Sequence, residues 1–199
     1  MPTHLAIHNQ LETHDGITVL RLTSADGTNR LSRACVVELT NAISELATLT
    51  PTALIITGNS HFFSAGADLN EITHLSSDAY DFAIMGQRLM RLIDDFPVPV
   101  CAAVAGYCMG GGLDLALACD LRIAHPHAIF GHRGAALGLI TGWGGTQRLP
   151  RLVGRAKALE MFLAAEKVTA AKALGIGLIN EIADDPVQRA RELLGSGTS

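Results

Sequence analysis

Excess positive charge, paired cysteine motifs and blocks of charged residues are all missing from this chain of 199 residues. Lys and Arg number 15 against 19 Asp and Glu, a net charge of −4, so we do not expect a nucleic acid as the main partner. Charged residues make up 17% and apolar residues 48%, which excludes a disordered chain and is typical of a compact globular protein.

The four cysteines form no C-x-x-C pair, and the chain is larger than the small secreted domains that depend on disulfides. This usage predicts free thiols in a reducing compartment. No basic and apolar leader opens the sequence, so we expect a cytoplasmic protein without a secretory signal. The apolar stretch 98–113 contains Pro99 and four glycines and runs into Asp114, which favours a buried strand, turn and helix over a membrane span.

Strand and helix patterns alternate along the chain, which predicts an α/β fold with largely parallel strands. Residues 17–23 are predicted as a strand after an Asp15-Gly16 turn, with residues 5–11 as the hairpin partner. Ser32 is predicted to cap the first helix. The other predicted strands are 53–57, 100–104, 121–124, 128–130 and 176–182. The other predicted helices begin at residue 77 or 78, at the glycine run 110–112, at 155, at Thr169 and at Pro186.

Two turns rich in small residues are the most informative part of the sequence. The first is Ser-Ala-Gly-Ala-Asp-Leu at 64–69, and the second is Ala-Gly-Tyr-Cys-Met-Gly-Gly-Gly at 105–112. Glycine inside a helix or strand costs roughly 0.5–1 kcal/mol relative to alanine. A run of three at a strand-to-helix junction therefore indicates backbone that approaches a ligand or directs a bare N–H at it, and the two turns together suit one small anionic oxygen.

Other common site motifs are not found in the sequence. The glycine run is neither a G-x-G-x-x-G nor a Walker A loop, and no G-x-S-x-G nucleophile elbow occurs. His125, His127 and His132 lie close in sequence, but no cysteine or carboxylate accompanies them at zinc-site spacing. We therefore predict no metal.

Four segments, 64–69, 105–112, 118–124 and 144–151, closely resemble motifs of the crotonase family, also called the enoyl-CoA hydratase/isomerase family. The likeness runs in order from about Leu5 to Ile182. It implies an α/β spiral of ββα repeats that acts on an acyl-coenzyme A thioester, and a homotrimer or a hexamer of two trimers. It implies no separate cofactor, because coenzyme A is part of the substrate. The charge and the apolar pattern of the chain predict no nucleic-acid or membrane partner.

The resemblance also implies which residues bind the substrate. By match with the family's motifs, the backbone N–H groups of Ala67 and Gly111 hold the thioester oxygen as it becomes an enolate. Losing one such donor typically costs roughly 3 kcal/mol of transition-state stabilisation. The substrate contacts carried over are Ala65, Ala67, Asp68, Leu69 and Asn70, with Gly110 at the second turn. Many relatives have lysine where this chain has Asn70, so we expect one phosphate contact to be weaker.

The acid/base residues depart from the family pattern. Hydratases of the family use two glutamates, and the matching residues here are Asp114 and Gly134. A related isomerase branch places an acid at the position of Gly142. No carboxylate occurs between Asp120 and Glu160, so the usual pair is incomplete.

Three interpretations of this departure remain open at this point. Asp114 alone transfers protons, or it is a helix N-terminal acid that favours the dipole. His132 or Arg133 substitutes for the missing carboxylate. Alternatively, the oxyanion hole alone supports decarboxylation or hydrolysis of an acyl-CoA, or the protein binds the thioester without turnover. We take enoyl-CoA hydratase or isomerase chemistry with Asp114 as the leading hypothesis.

Two parts are expected along the chain, an acyl-CoA-binding core at 1–185 and a short C-terminal helix and tail at 186–199. Family members usually continue into a C-terminal helical segment that covers the acyl pocket and helps to join subunits. The resemblance therefore implies a truncated C-terminal segment, a more open pocket, and apolar surface that a partner chain covers.

Overall fold

The structure is a computed structural model, and it describes residues 8–71, 77–132 and 134–195. Its strands are β1 (Asn9–His14), β2 (Ile17–Leu22), β3 (Arg30–Leu31), β4 (Ala53–Thr57), β5 (Phe62–Ser64), β6 (Gly66–Ala67), β7 (Val100–Val104), β8 (Tyr107–Met109), β9 (Leu121–Ala124), β10 (Ile129–Gly131), β11 (Val168–Thr169) and β12 (Glu181–Ile182). Its α-helices are α1 (Arg33–Leu49), α2 (Ser77–Asp94), α3 (Gly111–Ala118), α4 (Gly145–Val153), α5 (Arg155–Ala164), α6 (Ala170–Gly175) and α7 (Pro186–Gly195).

The strands form three sheets that the chain visits in turn. One sheet has the order β1-β2-β4-β7-β9-β12, the second β11-β10-β8-β5, and the third pairs β3 with β6. Strands β4, β7 and β9 enter the first sheet in parallel, and the strands that follow them, β5, β8 and β10, enter the second. This repeat of two strands followed by helix is the α/β spiral that the sequence predicted.

Burial of apolar side chains stabilises helix α1 and the central strands β4 and β7. Ser32 caps α1 by accepting a hydrogen bond from the Cys35 N–H, as predicted, and the helix buries Val36, Leu39 and Ile43. All five residues of β4 are buried and all five of β7 are buried, because helices cover both faces of a parallel sheet. The central strands therefore provide rigid support for the turns that follow them.

The motif at 118–124 has a structural role in this fold. The Arg122 guanidinium is buried and donates to the backbone oxygens of Leu178 at 2.9 Å and Cys119 at 2.6 Å. Asp120 Oδ2 accepts the Val100 N–H at 2.8 Å. These bonds tie the end of α3 to β7 and to the segment before β12, and they explain why buried polar side chains occur there.

Three predictions of local structure need correction. The partner of β2 is Asn9–His14, not residues 5–11, of which 5–7 lie outside the described residues. The strand predicted at 176–182 is only Glu181–Ile182, because Gly177 adopts a φ of +75° and turns the chain at the end of α6. Residues 145–153 form α4, which the sequence did not predict, with Pro150 inside the helix.

The predicted final helix is present as α7, and it packs on the six-stranded sheet through Val187 and Ala190. Its apolar partners there include Val19, Ile55 and Ala103. Among the described residues, no helix is both long and apolar enough to cross a membrane.

Candidate active site

The two small-residue turns meet at one cavity of about 730 Å³. Every predicted site residue that the structure describes lines this cavity. They are Ala65, Ala67, Asp68, Leu69, Asn70, Gly110, Gly111, Asp114 and His132. Arg133, the other residue proposed to substitute for the missing carboxylate, lies outside the described residues. The cavity has the size and the mixture of apolar walls and few polar groups that is typical of small-molecule sites.

The first turn is held in place by a buried serine. Ser64 Oγ donates to the Asn29 oxygen at 2.7 Å and accepts the Gly66 N–H at 3.1 Å. Gly66 has a φ of +96°, and a Cβ there would lie 2.6 Å from the Met109 oxygen, so only glycine fits. The Asp68 N–H donates to the backbone oxygen of Leu31 in β3. Successive N–H groups of a strand point in alternating directions, so the Ala67 N–H faces away from β3.

The second turn presents the free end of a helix. Gly110, with a φ of 52°, is the N-cap of α3, and the first hydrogen bond of that helix runs from Asp114 N to Gly110 O. Gly111 N therefore belongs to the N–H groups that have no partner within the helix. The partial positive charge at this end of a helix favours a negatively charged oxygen.

The backbone nitrogens of Ala67 and Gly111 are neighbours. A Cβ placed on Gly111 would lie 3.2 Å from Ala67 N. A nitrogen lies about 2.5 Å from the Cβ of its own residue, so the two nitrogens are at most about 6 Å apart. This is about twice an ordinary N–H···O distance of ~2.9 Å, so an oxygen placed midway would lie within hydrogen-bond distance of both nitrogens.

Asp114 lies one helical turn from Gly111 and is 1% exposed. Burial raises the pKa of this carboxyl group from 3.8 to about 7. Thr141 Oγ1 donates to Asp114 Oδ2, and this bond, the Arg148 charge and the N–H groups of Trp143 and Gly145 moderate the rise. Asp114 is thus a buried acid that exchanges a proton near neutral pH.

His132 faces the other oxygen of Asp114. Its Nε2 lies 3.4 Å from Asp114 Oδ1, and both atoms are buried without a hydrogen-bond partner. Burial lowers the pKa of His132 to about 4, so the imidazole is neutral at pH 7 and the contact is not an ion pair. Neither atom is exposed to solvent, so the carboxyl oxygen and the imidazole nitrogen face each other in the wall of the cavity.

The position that matches the second family glutamate has no room for a side chain. Gly134 lines the cavity at the start of a 3₁₀ turn, Gly134–Leu137, and its carbonyl accepts the Leu139 N–H at 2.8 Å. A Cβ on Gly134 would lie 2.6 Å from the Leu139 oxygen. In this backbone conformation, a larger residue at position 134 would clash with the Leu139 carbonyl.

Trp143 connects the turn at Gly111 to α2. Its buried indole lies between two glycines, because a Cβ on Gly86 would be 2.0 Å from Cε2 and a Cβ on Gly111 would be 2.6 Å from Cζ3. Phe82 contacts the indole edge-on, with ring centroids 5.2 Å apart. Gln87 Nε2 fixes the same segment by donating to the Gly142 oxygen at 2.8 Å.

Sequence reasoning missed Gly86, Thr141 and Trp143. The only sequence signal was a glycine inside an otherwise helical pattern, which usually has a packing reason. Basic and aromatic groups at the cavity mouth were missed as well. Arg30 lies there, and Lys167 Nζ sits 5.2 Å from the centre of the Tyr107 ring.

The first-turn residues predicted to contact the substrate surround the same mouth. Asp68 Oδ1 accepts hydrogen bonds from the backbone and side-chain nitrogens of Asn70, each at 3.0 Å. Leu69 is 43% exposed beside them. Across the described residues, no three His, Cys, Asp or Glu side chains come together as a metal site would require.

Comparison with known proteins agrees with this architecture. The family model described as enoyl-CoA hydratase/isomerase matches residues 12–194. A Bacillus subtilis protein named "Probable enoyl-CoA hydratase" is 43% identical over 163 residues, which are 80% of this chain and 63% of that protein. A crotonyl-CoA hydratase of Syntrophomonas wolfei is 39% identical over 86% of this chain and 67% of its own length.

Solved structures give the same result. Pseudomonas aeruginosa DspI superposes with a TM-score of 0.91 at 36% identity, covering 98% of this chain and 74% of that one. An enoyl-CoA hydratase from Thermoplasma volcanium also superposes with a TM-score of 0.91, at 29% identity over 97% of this chain and 78% of that one. The chain thus spans between 63% and 78% of the length of these relatives, less than two thirds of the Bacillus subtilis protein.

Proposed function

The chain belongs to the enoyl-CoA hydratase/isomerase family, and from this membership we propose that it binds an acyl-coenzyme A thioester and performs enoyl-CoA hydratase-type chemistry. One observation carries the proposal. A buried carboxyl group with a pKa of about 7, Asp114, shares a cavity with the adjacent backbone nitrogens of Ala67 and Gly111. The reaction needs an oxyanion site and a proton-transfer group within reach of one acyl chain.

Ala67 and Gly111 bind the thioester oxygen through their N–H groups. As a nucleophile adds to the β carbon, negative charge moves to this oxygen and an enolate forms. Fixed N–H donors favour the enolate more than the neutral thioester, which is the condition for catalysis. The N-terminal end of α3 contributes in the same direction because Gly111 is its first residue.

Asp114 acts as both base and acid in the proposed hydration. Its ionised carboxylate takes a proton from water while the water oxygen bonds to the β carbon, and it then returns this proton to the α carbon. Hydrogen and hydroxyl are added and Asp114 is regenerated. Neutral His132 lies beside this carboxyl group, with its Nε2 3.4 Å from Asp114 Oδ1, and adds no positive charge that would hold Asp114 ionised.

Isomerisation of a 3-enoyl thioester is the second candidate, because it needs a single carboxylate. Asp114 would remove a proton from the α carbon and return it to the γ carbon, with the same enolate between the steps. The described lining of the cavity favours this candidate, since it contains one buried carboxylate and the position of the second is Gly134.

The test compares crotonyl-CoA and a 3-enoyl-CoA as substrates for the wild type and for Asp114→Asn. Hydration removes the ultraviolet absorbance of the conjugated thioester, and isomerisation creates it. We expect Asp114→Asn to lose at least about a hundredfold in kcat with little change in KM. Asp95→Asn is the matched control, because Asp95 is exposed and lies outside the cavity lining.

Other results would redirect the proposal. Equal activity of wild type and Asp114→Asn would remove Asp114 from the chemistry. Release of carbon dioxide from a malonyl-type thioester, or of free thiol, without hydration would favour an oxyanion-hole decarboxylase or hydrolase. Thioester binding without any turnover would indicate a binding subunit.

We further propose that no separate cofactor takes part and that the protein forms a homotrimer or a hexamer. The oligomer proposal follows from family membership and from exposed apolar side chains on α5, where Leu159 is 45% and Leu163 73% exposed. Light scattering of the purified protein measures the mass directly, and a monomer would contradict this proposal.

A further inference from the structure

A second cavity of about 750 Å³ lies on the other side of the segment that carries Trp143. Its walls are α2 and α4, with Thr141, Gly142 and Trp143 forming a wall shared with the first cavity. Neither the predicted site residues nor the proposed reaction uses α4 or the exposed face of α2. The cavity therefore needs an explanation of its own.

Four arginines and one carboxylate provide the charged side chains of this lining. Arg88, Arg91 and Asp94 come from α2, and Arg148 and Arg151 come from α4. The cleft is therefore positive although the whole chain carries a net charge of −4. Like charges gathered in a cleft focus a positive potential, which attracts anions of matching size.

The carboxylate neutralises only one of the four arginines. Asp94 Oδ2 pairs with Arg148 Nη2 at 3.1 Å, and Arg148 Nε is buried without a hydrogen-bond partner. Arg88, Arg91 and Arg151 are exposed and form no ion pair with any acid in the described part of the chain. Three exposed arginines of this lining thus have no acidic partner among the described residues.

The first turn of α4 contributes to the same lining through Thr146 and Gln147. The N-cap of this helix is Gly144, which has no side chain to accept hydrogen bonds from the first N–H groups. The first N–H of the helix, that of Gly145, bonds to Asp114 in the first cavity, so the attraction for phosphate oxygens in this cleft comes from the arginine forks.

The geometry points to a second anion-binding site in this cleft, for a compact polyphosphate such as pyrophosphate or the diphosphate of a nucleotide. Arginine matches phosphate geometry with paired N–H groups, and several arginines select a multiply charged ligand over a single charge. Because the two cavities share Trp143, occupation of this cleft is expected to be sensed at the candidate active site. The inference does not depend on the proposed reaction.

Isothermal titration calorimetry with sodium pyrophosphate tests the site, with inorganic phosphate and ADP as the two alternative phosphate sources. We expect saturable binding that weakens as salt is added. Arg91→Gln and Arg151→Gln should each weaken pyrophosphate binding about tenfold. Arg155→Gln removes an equal charge from an exposed residue outside the lining and should change the affinity less than about twofold.

Two further measurements separate this cleft from the first cavity. Trp143 is the only tryptophan, so its fluorescence should change on pyrophosphate binding. Saturation with coenzyme A should leave pyrophosphate binding in place, and displacement by coenzyme A would overturn the inference by assigning the cleft to the substrate. No saturable binding, or equal effects of all three arginine variants, would also overturn it. A change in the oligomer mass of Arg91→Gln without a change in its pyrophosphate affinity would overturn the inference as well. The arginines would then belong to a contact between protein chains.

Discussion

Replacement of Gly86 by alanine tests the packing that joins α2 to the turn at Gly111. Gly86 lies in the interior of α2, where alanine is ordinarily better than glycine by roughly 0.5–1 kcal/mol. Here the added Cβ would lie 2.0 Å from Trp143 Cε2 and 2.1 Å from Nε1. Carbon atoms normally approach to about 3.5–4 Å, so the indole would have to move by more than an ångström.

The movement has a cost that exceeds the gain in helix propensity. Overpacking of a core typically costs about 1–3 kcal/mol, and a buried tryptophan that leaves its site loses more. We expect Gly86→Ala to lower the free energy of unfolding by about 1–3 kcal/mol, or the melting temperature by roughly 2–12 °C in a chain of this size. Thioester binding should weaken too, because Trp143 contacts Gly111.

Intrinsic fluorescence gives the assay, because Trp143 is the only tryptophan and is 4% exposed. Gly86→Ala should shift its emission towards longer wavelength as the indole meets water. Gly175→Ala is the matched control, since Gly175 is helical and a Cβ there meets no atom within 4 Å. That variant should keep the emission and gain up to about 1 kcal/mol. Wild-type stability and emission in Gly86→Ala would refute the reasoning.

Three other predictions concern the candidate site. Asp114 has a folded-state pKa of about 7 against 3.8 for the free group, so its contribution to stability is present below about pH 4 and is lost as the pH rises to 7. The stability of Asp114→Asn relative to wild type should therefore increase as the pH rises from about 4 to 7. Denaturant unfolding of both proteins at pH 5 and pH 8 measures this. A difference in unfolding free energy that is the same at both pH values would contradict the prediction. Thr141→Val removes a hydrogen-bond donor to Asp114 Oδ2, so the pH midpoint of activity should move upward. Thr141→Ser keeps a hydroxyl donor and should return the midpoint to the wild-type value. Identical pH profiles of wild type and both variants would show that Thr141 does not influence the pKa of Asp114. Gly134→Glu should lower both activity and melting temperature, because its Cβ would meet the Leu139 oxygen at 2.6 Å, and increased hydration would show that the loop adapts easily.

Local signals in the sequence were sufficient for much of the fold. Ser32 caps α1 as predicted, and Asp15-Gly16 forms the hairpin turn with both residues at positive φ. Such features depend on a few neighbouring residues and on the spacing of apolar side chains. The motifs carried more specific information, since residues from 65 to 132 were assigned to one site and line one cavity.

The errors arose where distant contacts decide the local structure. Helix α4 contains Pro150 and follows a glycine-rich loop, so its sequence favours a break, yet Leu149 is buried and Arg148 pairs with Asp94 on α2. Residues 176–179 are apolar like a strand, but Leu178 N–H donates to the Ala173 oxygen and closes the end of α6. Neither contact follows from neighbouring residues, which is why tertiary packing overrides propensity there.

The segment 141–145, which lies outside the first two motifs, contacts the second motif and the carboxylate that follows it in the site. Thr141 bonds to Asp114, Trp143 packs on Gly111, and a Cβ on Gly145 would lie 2.2 Å from Asp114 Oδ1. One segment thus contacts both Asp114 and Gly111, and α2 holds it through Gln87. Substitutions here should therefore be non-additive, because each partner depends on the same backbone. A substitution that moves this segment should therefore change both the pKa of Asp114 and the position of Gly111.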